Sequence, residues 1–159
     1  MKLPWVKILL FLIPAVAGTI YLLWWISPEQ AISRRADALF ASIEKKTLST
    51  GTARQKAEQF QSILSRQLEI QAPQPVPSGS FAPAHAASLL EEFHQGVTSC
   101  RISREKETVA LPSPADAIYQ ATVEVDVLVG RSSWVLRYQC RLEFEKSGDD
   151  WLLKLVILT

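Results

Sequence analysis

The chain has 159 residues, 48% of them hydrophobic, with 17 basic and 16 acidic side chains and a formal net charge of +1. That length suits one domain, and so even a balance of charge excludes the polycationic surface through which nucleic-acid binders displace counterions. Cys100 and Cys140 stand without CxxC or Cys/His spacing, which leaves too few soft ligands for structural zinc. No metal, no cofactor and no nucleic-acid partner is expected.

From Ile8 to Ile26 the sequence reads ILLFLIPAVAGTIYLLWWI, an uncharged run whose helical length of about 30 Å equals the hydrocarbon thickness of a bilayer. Lys2 and Lys7 flank its start, and Tyr21, Trp24 and Trp25 cluster at its far end, where amphipathic rings favour the headgroup layer. Pro14 is tolerated in lipid, and Ala17 with Gly18 offers a small-residue face to a partner helix. The expected division is an N-terminal flank over 1–7, a transmembrane helix over 8–26 and a domain over 27–159. A cleaved signal peptide ending at Ala15-Val16-Ala17 is the rival. Cleavage there leaves a greasy new terminus, which favours an uncleaved signal anchor. The Lys pair before the span competes with Arg34 and Arg35 beyond it, and the orientation adopted puts the N-terminus in the cytoplasm and the domain in the periplasm or another extracytoplasmic space. Such a protein is a single-pass membrane protein of a bacterial envelope, with membrane lipid as the partner of residues 8–26.

Ser27-Pro28-Glu29 is a helix start, with an N-cap serine, proline at the first helical position and an acid at the positive dipole end. Ile32, Ala36, Leu39, Phe40 and Ile43 follow at helical spacing. Thr50-Gly51-Thr52 breaks this helix, and Ala53, Ala57, Phe60 and Leu64 stripe a second. Leu68-Glu69-Ile70 reads as a short strand, and the segment APQPVPSGSFAP after it as an extended loop. Pro83 opens a third helix whose Ala87, Leu90, Phe93 and Val97 share one side.

The period then changes to two. Cys100 and Ile102 alternate with polar residues, and Val109 and Leu111 follow a charged, bulge-like stretch. Tyr119 through Val129 is apolar at every second place, Gly130-Arg131-Ser132 turns, and Trp134, Leu136, Tyr138, Cys140, Leu142 and Phe144 repeat the pattern. Ser147-Gly148-Asp149 turns again before a last strand through Trp151, Leu153, Leu155 and Ile157. The expected sheet is an antiparallel meander. In it Cys100 falls opposite a residue near Val127 and Cys140 opposite one near Val123, one whole strand apart, so both are expected as free, buried thiols.

Two helices, a short strand and loop, a third helix and then long antiparallel strands is an order that resembles the nuclear transport factor 2-like, cystatin-related cone superfamily, here as a membrane-anchored member. The residues that carry the resemblance are Ala36, Leu39, Phe40 and Ile43 of the first stripe, Leu90 and Phe93 of the third helix, and the closing strands WVLRYQCRLEFEKSGDDWLLKLVIL. It covers roughly residues 28–159 and implies an α+β fold in which three helices pack on a curved antiparallel sheet. In that family the mouth of the cone often serves as a ligand pocket or dimer surface. In layout the chain also resembles the bitopic inner-membrane assembly component of type IV secretion systems.

Enzymes on the resembled fold often pair an Asp with a His or Tyr inside the cone, a carboxylate as base and an imidazole or phenol as acid. Asp37 and His94 are the matching residue types, but each falls beside its helix's apolar stripe and reads as solvated, as does Asp126, expected to pair with Arg137. Tyr119, Trp134, Tyr138 and Trp151, with Phe93, are the ligand-pocket candidates, in competition with a plain core reading for the same aromatics. No phosphate loop, serine elbow or metal-spaced histidine cluster occurs, so no catalytic residue is assigned. The leading expectation is a membrane-tethered, non-enzymatic domain that binds a ligand, a second copy of itself or an envelope protein. The alternatives are a small-molecule-binding enzyme of isomerase or dehydratase type using the cone, and an assembly component of a secretion-type envelope complex.

Overall fold

The computed structural model describes residues 4–47 and 51–159, and side chains from residue 13 onward. The elements run α1 (Pro4–Trp25), α2 (Pro28–Ile43), α3 (Ala53–Ile63), β1 (Leu64–Gln71), β2 (Gly79–Phe81), α4 (Pro83–Gly96), β3 (Ser99–Ser113), β4 (Asp116–Val129), β5 (Ser132–Ser147) and β6 (Asp150–Leu158). Ser27 caps α2 through Gln30 N–H at 3.3 Å, and Thr52 caps α3 in a reciprocal capping box with Gln55. The β4–β5 and β5–β6 turns carry glycine at their first position, Gly130 with φ 60° and Gly148 with φ 63°, a conformation that matches the twist of the flanking strands.

The six strands lie in the order β2-β1-β6-β5-β4-β3. From β3 to β6 the meander is as expected, with Cys100 opposite Val127 and Cys140 opposite Ala121. Both cysteines are buried free thiols with β4 between them. Burial pushes Cys100 up to about 11 and Cys140 up to about 12, so both stay protonated and inert. The sheet departs from a pure antiparallel one at β1, which runs parallel to β6 and antiparallel to the short β2 formed inside the expected loop. β1 begins where α3 ends, so Leu64, expected on the helical stripe, is the first strand residue.

Ile32, Ala36, Leu39 and Phe40 of α2, Phe60 and Ile63 of α3 and Leu90 of α4 close over Tyr119, Leu142, Phe144 and Leu153 of the sheet in one core. A second small cluster, Val97, Cys100 and Val127, lies where α4 hands the chain to β3. Burial at about 25 cal/mol per Å² of apolar surface is what holds helices to sheet.

Among the described residues no helix is long and apolar enough to cross a membrane. This corrects the expected transmembrane helix over 8–26, and with it the membrane-anchored form of the fold and the single-pass localisation with a cytoplasmic N-terminus and an extracytoplasmic domain. Residues 1–3 of the expected flank, and the side chains of 4–12, lie outside the described residues.

Candidate active site

Where α2 crosses β3 and β4, four polar side chains meet around the ring of Phe40. Their arrangement starts from a bulge. Glu105 pairs with Thr122 and Thr108 with Gln120, so Lys106 and Glu107 together oppose the single residue Ala121. The extra residue shifts the alternation of β3, and Lys106 takes a positive φ of 55° to accommodate it. As a result Glu107 joins Arg104 on the helix-covered face.

Arg104 is the hub. Its Nη1 lies 2.7 Å from Asp37 Oδ1 and 3.3 Å from Glu107 Oε2, donates to Tyr119 Oη at 3.4 Å, and its guanidinium sits 5.0 Å from the centre of the Phe40 ring. Burial works against this charge, but Asp37, Tyr119 and Glu107 outweigh it and hold the guanidinium above its ordinary pKa. Tyr119 is fully buried, its ring 6.1 Å from that of Phe40, and its O–H donates to Glu107 Oε2 at 2.7 Å. Burial first, and then this hydrogen bond, push the phenol far above its usual range, so it is a neutral donor at any physiological pH. Asp37 is 58% exposed and Glu107 43%, against 23% for Arg104. The cluster is therefore a buried tyrosine and a half-buried arginine with two carboxylates at a water-accessible rim.

Of the expected pocket aromatics, Tyr119, Tyr138 and Trp151 are buried, Phe93 is partly buried against both core clusters, and Trp134 is 56% exposed. Only Tyr119 joins the polar cluster. His94 departs from the solvated reading: it is 2% exposed, with Nε2 donating to Ile43 O at 2.8 Å. It lies at the end of α2 rather than with Asp37, whose partner is Arg104. Asp126 accepts from Ser133, and Arg137 pairs with Glu105 instead, because β4 and β5 set Asp126 opposite Val135. Arg104 and Glu107 carried no sequence motif. The signal that finds them is the change of parity between Ile102 and Val109, since a strand that swaps its apolar phase must contain a bulge.

No protein-family model matches the sequence, and no curated protein matches it. Solved structures do match the fold. A protein assigned as a scytalone dehydratase from Novosphingobium aromaticivorans superposes with a TM-score of 0.66 at 14% identity, over 81% of this chain and 80% of that one. A hexachlorocyclohexane dehydrochlorinase of type 3 from Novosphingobium barchaimii gives 0.64 at 12% identity, over 82% and 84%. A protein assigned as a dehydratase of the nuclear transport factor 2-like family from Streptomyces avermitilis gives 0.64 at 11% identity, over 81% and 92%. The chain has the nuclear transport factor 2-like fold, as these likenesses show. They also correct the expectation of a non-enzymatic, membrane-tethered interaction domain, since the structures that share this fold include ones that carry the names of lyases and no described helix is long and apolar enough to cross a membrane.

Proposed function

We propose that this chain is a small-molecule enzyme of dehydratase or isomerase type, acting at the rim where Asp37, Arg104, Glu107 and Tyr119 meet. The observation that carries the reading is the hydroxyl of the buried Tyr119 and the half-buried Arg104 guanidinium, 3.4 Å apart, set beside the exposed carboxylate of Asp37. Such a donor pair stabilises a developing oxyanion, and a carboxylate near it takes a proton from the adjacent carbon. The lyase names of proteins that share the fold support the same class.

In this reading a substrate carbonyl oxygen displaces the Arg104 to Asp37 contact and takes the Tyr119 hydroxyl proton's bond from Glu107, so that it accepts from Arg104 and Tyr119. Asp37 then removes the proton from the carbon next to the carbonyl, and the C–H electron pair moves to form an enolate. Collapse of the enolate forms the C=C bond and expels a β-hydroxyl, which leaves as water with the proton that Asp37 collected. With a β,γ-unsaturated ketone the same proton removal gives a dienolate, and return of the proton to its γ-carbon gives the conjugated enone. Glu107 holds the Tyr119 hydroxyl before the substrate enters and balances the charge of Arg104.

The test is proton NMR in D₂O with β-hydroxyketones, scytalone and hexachlorocyclohexane as probes. Exchange or elimination above the buffer rate is expected for at least one carbonyl probe, with a loss of about 100-fold in Asp37→Asn and about 10-fold in Tyr119→Phe. Absence of turnover across the panel, or full activity in Asp37→Asn, sinks the reading.

A further inference from the structure

At the rim where α2 meets β3, Arg104 Nη1 lies 2.7 Å from Asp37 Oδ1 and 3.3 Å from Glu107 Oε2, so one guanidinium faces two carboxylates that water reaches. The other cations of these elements are engaged elsewhere. Arg34 turns back onto the carbonyl and ring of Trp25, Arg35 pairs with Asp150, and Lys45 reaches the carbonyls of His94 and Val97 at the end of α4. On β3, Arg101 stands opposite Asp126, and Lys106 lies with Gln120 and Thr122, both on the far face of the sheet. Strand β4 has no basic residue. Among the described residues Arg104 is therefore the cation of this rim, and the rim keeps one net negative charge. We infer, on the reading above of this rim as a carbonyl site, that it selects its substrate by charge, favouring a carbonyl compound with a cationic substituent over a neutral one and rejecting an anionic one.

Proton removal does not cancel the imbalance. As Asp37 takes the proton from carbon, its charge passes to the enolate oxygen, so a neutral substrate holds the site at one net negative charge from binding to enolate. A carboxylate on the substrate makes that two, and an ammonium group makes it zero. Glu107 is the carboxylate that meets the added charge. Once the Tyr119 hydroxyl turns from it to the substrate, Arg104 at 3.3 Å is its remaining partner, and at 43% exposure its side chain faces a substituent at the rim. One unit charge about 6 Å away, in a partly exposed site, changes affinity about tenfold, and salt reduces the effect.

The experiment is an NMR titration of the full chain with benzylacetone and with its para-trimethylammonium and para-carboxylate derivatives, at low and high sodium chloride, followed at the Arg104 guanidinium and the amides of Asp37 and Glu107. The trimethylammonium ketone is expected to bind about tenfold more tightly than benzylacetone and the carboxylate about tenfold more weakly, with both gaps narrowing in high salt. Glu107→Gln, which removes one charge and keeps an acceptor for Tyr119, is expected to close both gaps. Glu105→Gln, whose parent pairs with Arg137 on the far face, is expected to leave them open. Equal affinities, tightest binding of the carboxylate, gaps that Glu107→Gln preserves or Glu105→Gln closes, or no shift at Arg104 with any probe overturn the inference. Turnover of the matching β-hydroxyketones separates it from the catalytic reading. The expected charge order in binding without elimination upholds charge selection and sinks catalysis, whereas elimination at equal rates from all three upholds catalysis and sinks charge selection.

Discussion

Tyr119 belongs to the core and to the candidate active site at once. Its ring is fully buried among Phe40 and its neighbours, while its hydroxyl reaches Glu107 at 2.7 Å. These two parts separate by substitution. Tyr119→Phe keeps the ring and removes one hydrogen bond to a carboxylate that water reaches, so it is expected to cost about 1 kcal/mol. Tyr119→Ala also opens a cavity and is expected to cost about 3–5 kcal/mol. Urea unfolding with an unchanged m-value checks both, and a loss in Tyr119→Phe as large as in Tyr119→Ala contradicts this division. The alternation of β4 made Tyr119 legible from sequence as an inward aromatic. Its partners were not, because Arg104 and Glu107 sit in a fully charged stretch, Arg104-Glu105-Lys106-Glu107, where neither period is visible. Only the shift of phase on its far side marks the bulge.

At the scale of elements, His94 joins α4 to the end of α2. Its Nε2–H donates to Ile43 O, and Lys45 Nζ, from just beyond α2, donates back to His94 O at 2.6 Å and Val97 O at 2.7 Å, satisfying carbonyls at the end of α4 where a cation also suits the helix dipole. A polar side chain on the buried side of a helix breaks the hydrophobic stripe, so sequence periodicity assigns it to solvent. The carbonyl that satisfies it comes from another helix and leaves no local trace. Burial, and then the nearby Lys56 and Lys45, hold the imidazole below its ordinary 6.5, against the pull of the Ile43 carbonyl. The unfolded chain therefore takes up a proton first as the pH falls. Stability is complete above pH 6.5 and declines as the pH drops through that value toward the lower folded pKa. Unfolding free energies measured between pH 7 and pH 5 are expected to fall, and His94→Gln is expected to flatten that slope. An equal slope in the variant rules out this histidine as its source.

The whole molecule divides into a cone and an appended helix, and the sequence conveys the two unequally. Strands β4 and β5 were legible because each alternates over many residues about the Gly130 turn, and β6 because an apolar run follows the Gly148 turn. The parallel pairing of β1 with β6 was not, since it joins Leu64 to Leu153 across most of the chain and leaves no pattern in either segment. The length of the apolar start suggested a bilayer, whereas the described structure shows α1 touching α2, with Ile20, Leu23 and Ile26 at least 61% exposed. Among the described residues every buried core side chain lies at Ile32 or beyond. The contacts from the first segment into α2 include Arg34 Nη1 donating to Trp25 O at 2.9 Å and the same guanidinium over the Trp25 ring at 4.8 Å, an exposed pair worth about 1 kcal/mol at most. Ser27, which caps α2, survives removal of residues 1–26. That truncation is therefore expected to leave the urea midpoint of the cone within the equivalent of about 1 kcal/mol. It is also expected to raise solubility, since it deletes an exposed apolar surface. A midpoint that falls by more than this shows that α1 packs on the cone and belongs to its core.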